Sequence, residues 1–451
     1  MARVRKELLK MKIPQSSNMK SFLPVFMLMI MISSCKHSER SAEFKGSALQ
    51  IYCVQKLTDV VVYDIFSPPV ASRIYSYANL AYYEALRAGF PETNSLIKEM
   101  KGFGQLDSVS NAEEYDFELS ATVAFMKVAQ KLVFSKDSLK KAEQELMQAF
   151  NNLQKPVYER SVLWGESVAA IILERAAKDN YSITRSMPRF SAFNEKGIWK
   201  QTPPDYADAL EPHWKMISPL LMDSASQFKP PPPYPYDMEK SSPYYKELTE
   251  VYEISKKITG EMDTIAVFWD DNPFVSKHIG HLTYANKKMT PVGHWMGITA
   301  ILCREAKKDG ISTALTFAIT SAAIFDGFIS CWDEKFRSKT TRPITVIREQ
   351  LESEWNSLLQ TPPFPEYTSG HSVISAAAST VLTRVFGEGF AFKDNTEMEY
   401  IGLERSFKSI EEASDEAGIS RLYGGIHFRS AIVNGKGQGI KIGQLYNKLI
   451  R

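Results

Sequence analysis

Apolar residues recur every three to four positions along most of the chain, and the pattern is continuous from about Pro69. The stretches ASRIYSYANLAYYEAL (71–86), ATVAFMKVAQKLVF (121–134) and SVLWGESVAAIILERAA (161–177) each gather apolar side chains on one helical face. No series of alternating runs closed by Asn-Gly or Asp-Gly turns accompanies them, so no strong strand is expected. Between about Thr184 and Tyr244 the period breaks in a segment rich in proline and aromatics, including KPPPPYPY. Trp199, Trp214 and Phe228 lie there and demand burial, which predicts a packed irregular connection. Helical spacing resumes at about Pro243 and runs through HWMGITAILCREAKK and STALTFAITSAAIFDGFISCW. The expectation is an all-α fold without internal repeats. It has an N-terminal helical region over 69–183, a connection over 184–243 and a C-terminal helical region over 244–451. Residues 35–68 read as a tether leading into it.

The N-terminus follows different rules. From Met19 a lysine precedes an apolar run, Phe22 to Ile32, and then Ser33, Ser34 and Cys35. The run is too short to span a bilayer and suits the core of a signal peptide over 19–34. ISSC resembles the lipobox of bacterial lipoproteins, which implies lipid attachment at Cys35. The implied location is the periplasm or the outer membrane, reached through a lipid anchor. Residues 1–18 fit this poorly and read as an upstream extension.

Charge and composition narrow the function. Lys and Arg total 54 against 52 Asp and Glu, a net charge of +2, without the basic surplus of a nucleic-acid binder. Cys35, Cys53, Cys303 and Cys331 form no CxxC pair and spell neither a metal site nor a disulfide framework. With 451 residues, 44% of them hydrophobic, the chain is long enough for a large core.

Candidate chemistry gathers in the last 120 or so residues. In CWDEKFRSKTTRPITVI, Lys335 and Arg342 are two helical turns apart, with Arg337 and Lys339 between them. Pro343 disfavours helix at Arg342, which places that residue at the end of a turn. In PPFPEYTSGHSVISAAASTVL, Ser369, Gly370 and His371 precede a small-residue apolar run that reads as a helix, with Ser369 or Ser372 near its N-cap. Such a helix start suits an anion. In GISRLYGGIHFRSA, Arg421 and His427 flank Gly424 and Gly425. Each motif alone reads as a solvated face, a cap or a turn. Together they supply three cations, neutral donors and two histidines, which suits a highly charged oxyanion with a nucleophile or ligand and a proton donor beside it.

These motifs resemble those of the superfamily that joins vanadium-dependent haloperoxidases, type 2 phosphatidic acid phosphatases and bacterial acid phosphatases. Lys335, six residues, Arg342-Pro343 matches, as does Ser420-Arg421, five residues, His427. The middle motif has Thr368 in place of proline but keeps Ser369, Gly370 and His371. The resemblance implies two helical bundles and a vanadate, or in a phosphatase a phosphate, held by Lys335, Arg342, Ser369, Gly370 and Arg421. It implies His427 as the vanadium ligand or phosphate nucleophile, and His371 as the acid–base group. TPVGHW (290–295) is similar to the haloperoxidase branch, and Trp332 and Phe364 match positions lining the vanadate site of fungal chloroperoxidases. Ala431 stands where many members carry an aspartate. If that carboxylate orients the histidine, another group such as a backbone carbonyl must do so here. Asp271 is a candidate carboxylate partner for Arg421. The expected activity is peroxide-driven halide oxidation, with small molecules as substrates. A periplasmic acid phosphatase and a non-catalytic oxyanion binder are the alternatives. The N-terminal half either shapes access to the site or forms a homodimer contact.

Overall fold

The computed structural model describes residues 40–110, 112–191, 195–279 and 281–450. The segment expected to be a signal peptide, and Cys35, lie outside these residues. Among the described residues the helices are α1 (Gly46–Tyr63), α2 (Pro68–Leu86), α3 (Phe117–Leu132), α4 (Lys136–Gln148), α5 (Lys155–Ala177) and α6 (Tyr181–Ser186). After the irregular connection come α7 (Pro243–Lys256), α8 (Gly260–Phe268), α9 (Pro291–Glu305), α10 (Gly310–Ser338) and α11 (Pro343–Gln350). The last are α12 (Gly370–Phe386), α13 (Met398–Ile401), α14 (Ile410–Tyr423) and α15 (Arg429–Tyr446). The all-α expectation holds, with two small antiparallel hairpins added: β1 (Phe274–Ile279) with β2 (Leu282–Lys287), and β3 (Phe392–Asp394) with β4 (Arg405–Phe407). Neither uses an Asn-Gly or Asp-Gly turn.

Residues 46–63, expected as tether, are α1, a core helix. Leu49, Cys53, Leu57, Val60 and Val61 recur at helical spacing and are all buried. Arg40 to Arg451 form one compact unit, so the regions proposed from sequence share a single core. In the irregular connection Trp199 and Trp214 are fully buried and Phe228 packs partly buried against the core, as their size demanded.

Helix α10 is the axis of the fold. It packs against α2 on the N-terminal side and against α12 on the C-terminal side. Its residues from Thr313 to Phe336 are almost all buried, and α2 is buried from Pro69 to Leu86, so both are enclosed on every face. Helix α10 is long and apolar enough to cross a membrane, yet 94% of its apolar stretch is buried inside the fold, as in the core helix of a globular protein. Helices α12 and α15 form a close pair. A Cβ on Gly439 would fall 2.1 Å from the Val373 carbonyl oxygen, so only glycine lets the two backbones approach this closely. The pair fixes the start of α12 against the segment that carries His427.

Candidate active site

The C-terminal end of α10, the start of α12 and the end of α14 meet at one buried point. Lys335 lies in the last turn of α10, which Lys339 closes in the left-handed conformation at φ 53°. Pro343 opens α11 and leaves Arg342 extended, at φ −85° and ψ 151°. The two cations therefore arrive from two elements rather than from one helical face. Both are fully buried, whereas Arg337 between them is partly exposed and pairs with Asp333 at 3.1 Å and with Glu334. The solvated-face reading fits Arg337 and Lys339, both partly exposed, and fails for Lys335 and Arg342.

Backbone carbonyls hold the cations from behind. Lys335 Nζ donates to the Pro365 and Glu366 carbonyls at 2.9 and 3.0 Å. Arg342 Nε donates to the Phe364 carbonyl and its Nη1 to the Ile426 carbonyl, each at 2.8 Å. Arg421 Nη1 donates to the Trp269 and Asp270 carbonyls. Arg342 Nη2 and Arg421 Nε are buried without a partner. A buried guanidinium N–H left unpaired is costly, and an oxyanion is the acceptor that fits. Burial lowers the pKa of these cations, Lys335 to about 7 and Arg342 to about 9; the Arg342 charge adds to the lowering of Lys335, and the Arg421 charge to that of Arg342. The Phe364 ring lies 4.9 Å from both charges, and Trp332 stacks at 5.0 Å from Phe364 while its indole N–H donates to the Leu210 carbonyl.

Ser369 is the N-cap of α12, its Oγ accepting from the Ser372 N–H at 3.3 Å, and its own N–H donates to the Ala431 carbonyl at 3.1 Å. A Cβ on Gly370 would meet only the edge of Trp332, at 3.7 Å, so this helix start is open to a ligand. Thr368, in place of the expected proline, donates from Oγ1 to Gln438 Oε1 of α15 at 2.9 Å.

Between Arg421 and His427 the chain reverses at the paired glycines. Gly425 takes φ +74°, and its Cα has Trp355 and Ser357 against it. His427 then points Nδ1 at Glu366 Oε1, 2.9 Å away, and Nε2 toward Arg342 Nη1 at 3.2 Å. The same Glu366 oxygen accepts the Phe428 N–H at 2.9 Å. Glu366 thus does what the expected backbone carbonyl was assigned to do, and the aspartate absent at Ala431 is not needed for it. Burial, reinforced by Arg342, Lys335 and Arg421, holds His427 well below the usual imidazole range, so the ring is neutral. With its proton on Nδ1 facing the carboxylate, the lone pair lies on Nε2. Burial raises the Glu366 carboxyl to about 7, against the pull of Phe428, Arg342 and Lys335.

His371 accepts from Arg421 Nη1 at Nε2, 3.0 Å away, and Asp271 Oδ2 lies 3.5 Å from the same nitrogen. Burial and Arg421 lower it to about 4, against the raising effect of Asp271. The expected pairing of Asp271 with Arg421 is therefore corrected. The nearest carboxylate oxygen to that guanidinium belongs to Asp270, at 3.9 Å, and Asp271 turns instead to His371 and His294. Asp271 adopts φ +42°, in the left-handed region, and its carboxylate lies between the two histidines. Glu366 and His294 are the residues sequence reasoning missed here. Glu366 sat in the quoted PPFPEY stretch, five residues before His371, as the one carboxylate in that segment.

A cavity of about 360 Å³ opens on these groups. Gly370, His371, Arg421 and His427 line it together with Trp332 and Phe364. Cys53, Cys303 and Cys331 are free and buried, and Cys331 lies against Thr368 behind the cavity wall.

The family model for the VCPO second helical-bundle domain matches residues 315–451, which hold the motifs of Lys335 and Arg342, of Ser369 to His371, and of Arg421 and His427. No curated protein matches the chain. Among solved structures, the first bacterial vanadium-dependent iodoperoxidase superposes with a TM-score of 0.85 at 43% identity, over 90% of this chain and 97% of that one. A bacterial vanadium-dependent chloroperoxidase in its holo form superposes at 0.66 with 17% identity, over 86% of this chain and 93% of the other, and its apo form at 0.68 with 18% identity, over 88% and 97%. The chloroperoxidases share the fold, and the closer likeness, nearly end to end, settles descent: the chain belongs to the vanadium-dependent haloperoxidases.

Proposed function

We propose that this protein binds vanadate at the Lys335, Arg342, Ser369, Gly370, Arg421 and His427 site and uses peroxide to oxidise a halide, iodide first among them. The observation that carries the reading is a neutral His427 whose lone pair lies on Nε2, beside two buried guanidinium N–H groups that have no partner. That donor set fits vanadate: a ring nitrogen for the metal and charge-assisted donors for its oxygens. The choice of iodide rests on the 43% identity with the iodoperoxidase.

Bound vanadate supplies a Lewis-acid centre at which peroxide is activated toward a halide. The chain does the rest. Lys335, Arg342 and Arg421 hold negative charge in a site that excludes water, where their attraction is little screened. Glu366 keeps the His427 proton on Nδ1 and leaves Nε2 unprotonated, its lone pair facing Arg342 Nη1. Neutral His371, at the cavity wall, takes a proton at Nε2 from an incoming acid as Arg421 Nη1 withdraws from that lone pair, with Asp271 Oδ2 3.5 Å away to receive the new N–H, and then returns it. Trp332 and Phe364 supply an apolar wall beside the cations that limits competing hydration.

The N-terminal sequence supports export as a lipoprotein anchored through Cys35. Labelling with a palmitate analogue, lost in Cys35→Ser, tests the anchor. The catalytic reading is tested by peroxide- and vanadate-dependent oxidation of iodide, abolished in His427→Ala. Hydrolysis of phosphate esters in place of halide oxidation would refute it.

A further inference from the structure

Next to His371, but outside the oxyanion cage, lies a buried polar cluster that the reading above does not use. His294, from TPVGHW, is fully buried in α9. Its Nδ1 lies 2.9 Å from Asp271 Oδ1, and its Nε2 lies 2.9 Å from Asp394 Oδ2. Asp394 is itself fixed by the Thr396 N–H and hydroxyl, at 3.0 and 2.7 Å. The imidazole stacks on Trp269 at 4.4 Å, and Phe268 meets it edge-on at 5.3 Å. Glu397 Oε1 is 4.0 Å from Nδ1.

Hydrogen-bond bookkeeping decides the charge. A neutral imidazole has one donor and one acceptor, whereas an ionised carboxylate only accepts. Two carboxylate oxygens at 2.9 Å, one on each ring nitrogen, are both satisfied only when both nitrogens carry a proton. We propose that His294, held as an imidazolium between Asp271 and Asp394, is a positioning residue that keeps the second oxygen of Asp271 aimed at His371. The inference rests on the role given above to His371.

Charges around the cluster agree. Burial disfavours a charged His294, but Asp271 and Asp394 more than reverse this and hold it well above the usual imidazole value. Burial likewise pushes Asp271 up, and the His294 charge reverses it to well below the usual carboxylate range. Glu397 is raised to about 8, chiefly by burial, so it adds little negative charge at neutral pH. The other charges near are Lys288, paired with Asp270 at 2.7 Å, and Arg421 on the far side of His371. Trp269, Asp270 and Asp271 are consecutive. One short segment therefore receives the Arg421 guanidinium through two carbonyls and presents a carboxylate to His371, and His294 both stacks on that segment and bonds to it.

The test uses the full chain labelled with 15N-histidine, without vanadate, by NMR at pH 8. The expected result is one histidine protonated on both ring nitrogens, a signal that vanishes in His294→Gln. A neutral His294 overturns the proposal. So does a stoichiometric divalent metal in the purified protein that is lost in Glu397→Gln, because the metal would take the place of the Nδ1 proton. These arms need no catalysis, so they decide the proposal even if halide oxidation fails. In the active protein Asp394→Asn, which touches neither the cage nor His371, should lower kcat at least tenfold. KM for peroxide and vanadate affinity should stay within twofold of wild type, and Asp394→Glu should restore most of kcat. An unchanged kcat, or vanadate affinity falling in step with it, overturns the proposal.

Discussion

Replacing Arg342 by methionine separates binding from folding. In the free protein this guanidinium is fully buried and its pKa falls from 12.5 to about 9, mainly by burial. At pH 7 it is charged in both the folded and the unfolded chain, and the depression of about 3.5 units amounts to an unfavourable contribution on the order of 5 kcal/mol. Two bonds to the Phe364 and Ile426 carbonyls oppose it, at about 1.5–3 kcal/mol each for a charged donor. The two sides nearly cancel, so Arg342→Met should leave the melting temperature of the vanadate-free protein within a few degrees of wild type. Vanadate binding is another matter. Loss of a charge-assisted bond costs about 1.5–3 kcal/mol, which is roughly 10- to 150-fold in Kd. At a vanadate concentration 100 times the wild-type Kd, ligand stabilisation should fall from about 2.7 kcal/mol to about 1.4 or less. Thermal melts with and without vanadate, with calorimetric titration, measure both quantities. Affinity within threefold of wild type would refute the cage. Outright unfolding of the free variant would show that Arg342 is held for structure.

Other outcomes follow from the same geometry. Arg421→Ala should weaken vanadate at least tenfold while Arg337→Ala changes it less than twofold, and phosphate should compete with vanadate; calorimetry reads all three. Lys335 has its free-state pKa depressed to about 7, so it is charged below that value and loses its proton as pH rises through it. A bound anion raises that pKa again, so binding above pH 7 should take up protons and weaken with rising pH, measured by titration in buffers of different ionisation enthalpy. Glu366→Leu leaves the His427 and Phe428 N–H groups unpaired, about 1–3 kcal/mol each, while Glu366→Gln keeps an acceptor and should melt closer to wild type. Gly439→Ala forces a Cβ against the Val373 carbonyl and should destabilise by about 1–3 kcal/mol in urea unfolding.

The helical fold was legible because amphipathic spacing is local, and α7 begins at Pro243, about where helical spacing resumes in the sequence. The cage was legible because its residues fall in three short motifs. Glu366, Asp271 and His294 were not read correctly because their roles depend on pairings 61, 100 and 23 residues apart in sequence, which no local period reports. Helix α1 is different. Its spacing is present in the sequence, but its nearness to the short apolar run at Phe22 to Ile32 favoured a tether.

The central claim is that vanadate at His427 makes this chain a halide oxidase. Its most direct measurement is triiodide formation by the purified full chain with peroxide and iodide, before and after saturation with vanadate. The account predicts activity that appears with vanadate, is suppressed by excess phosphate and is absent in His427→Ala. Protein that binds vanadate stoichiometrically and forms no triiodide would contradict it.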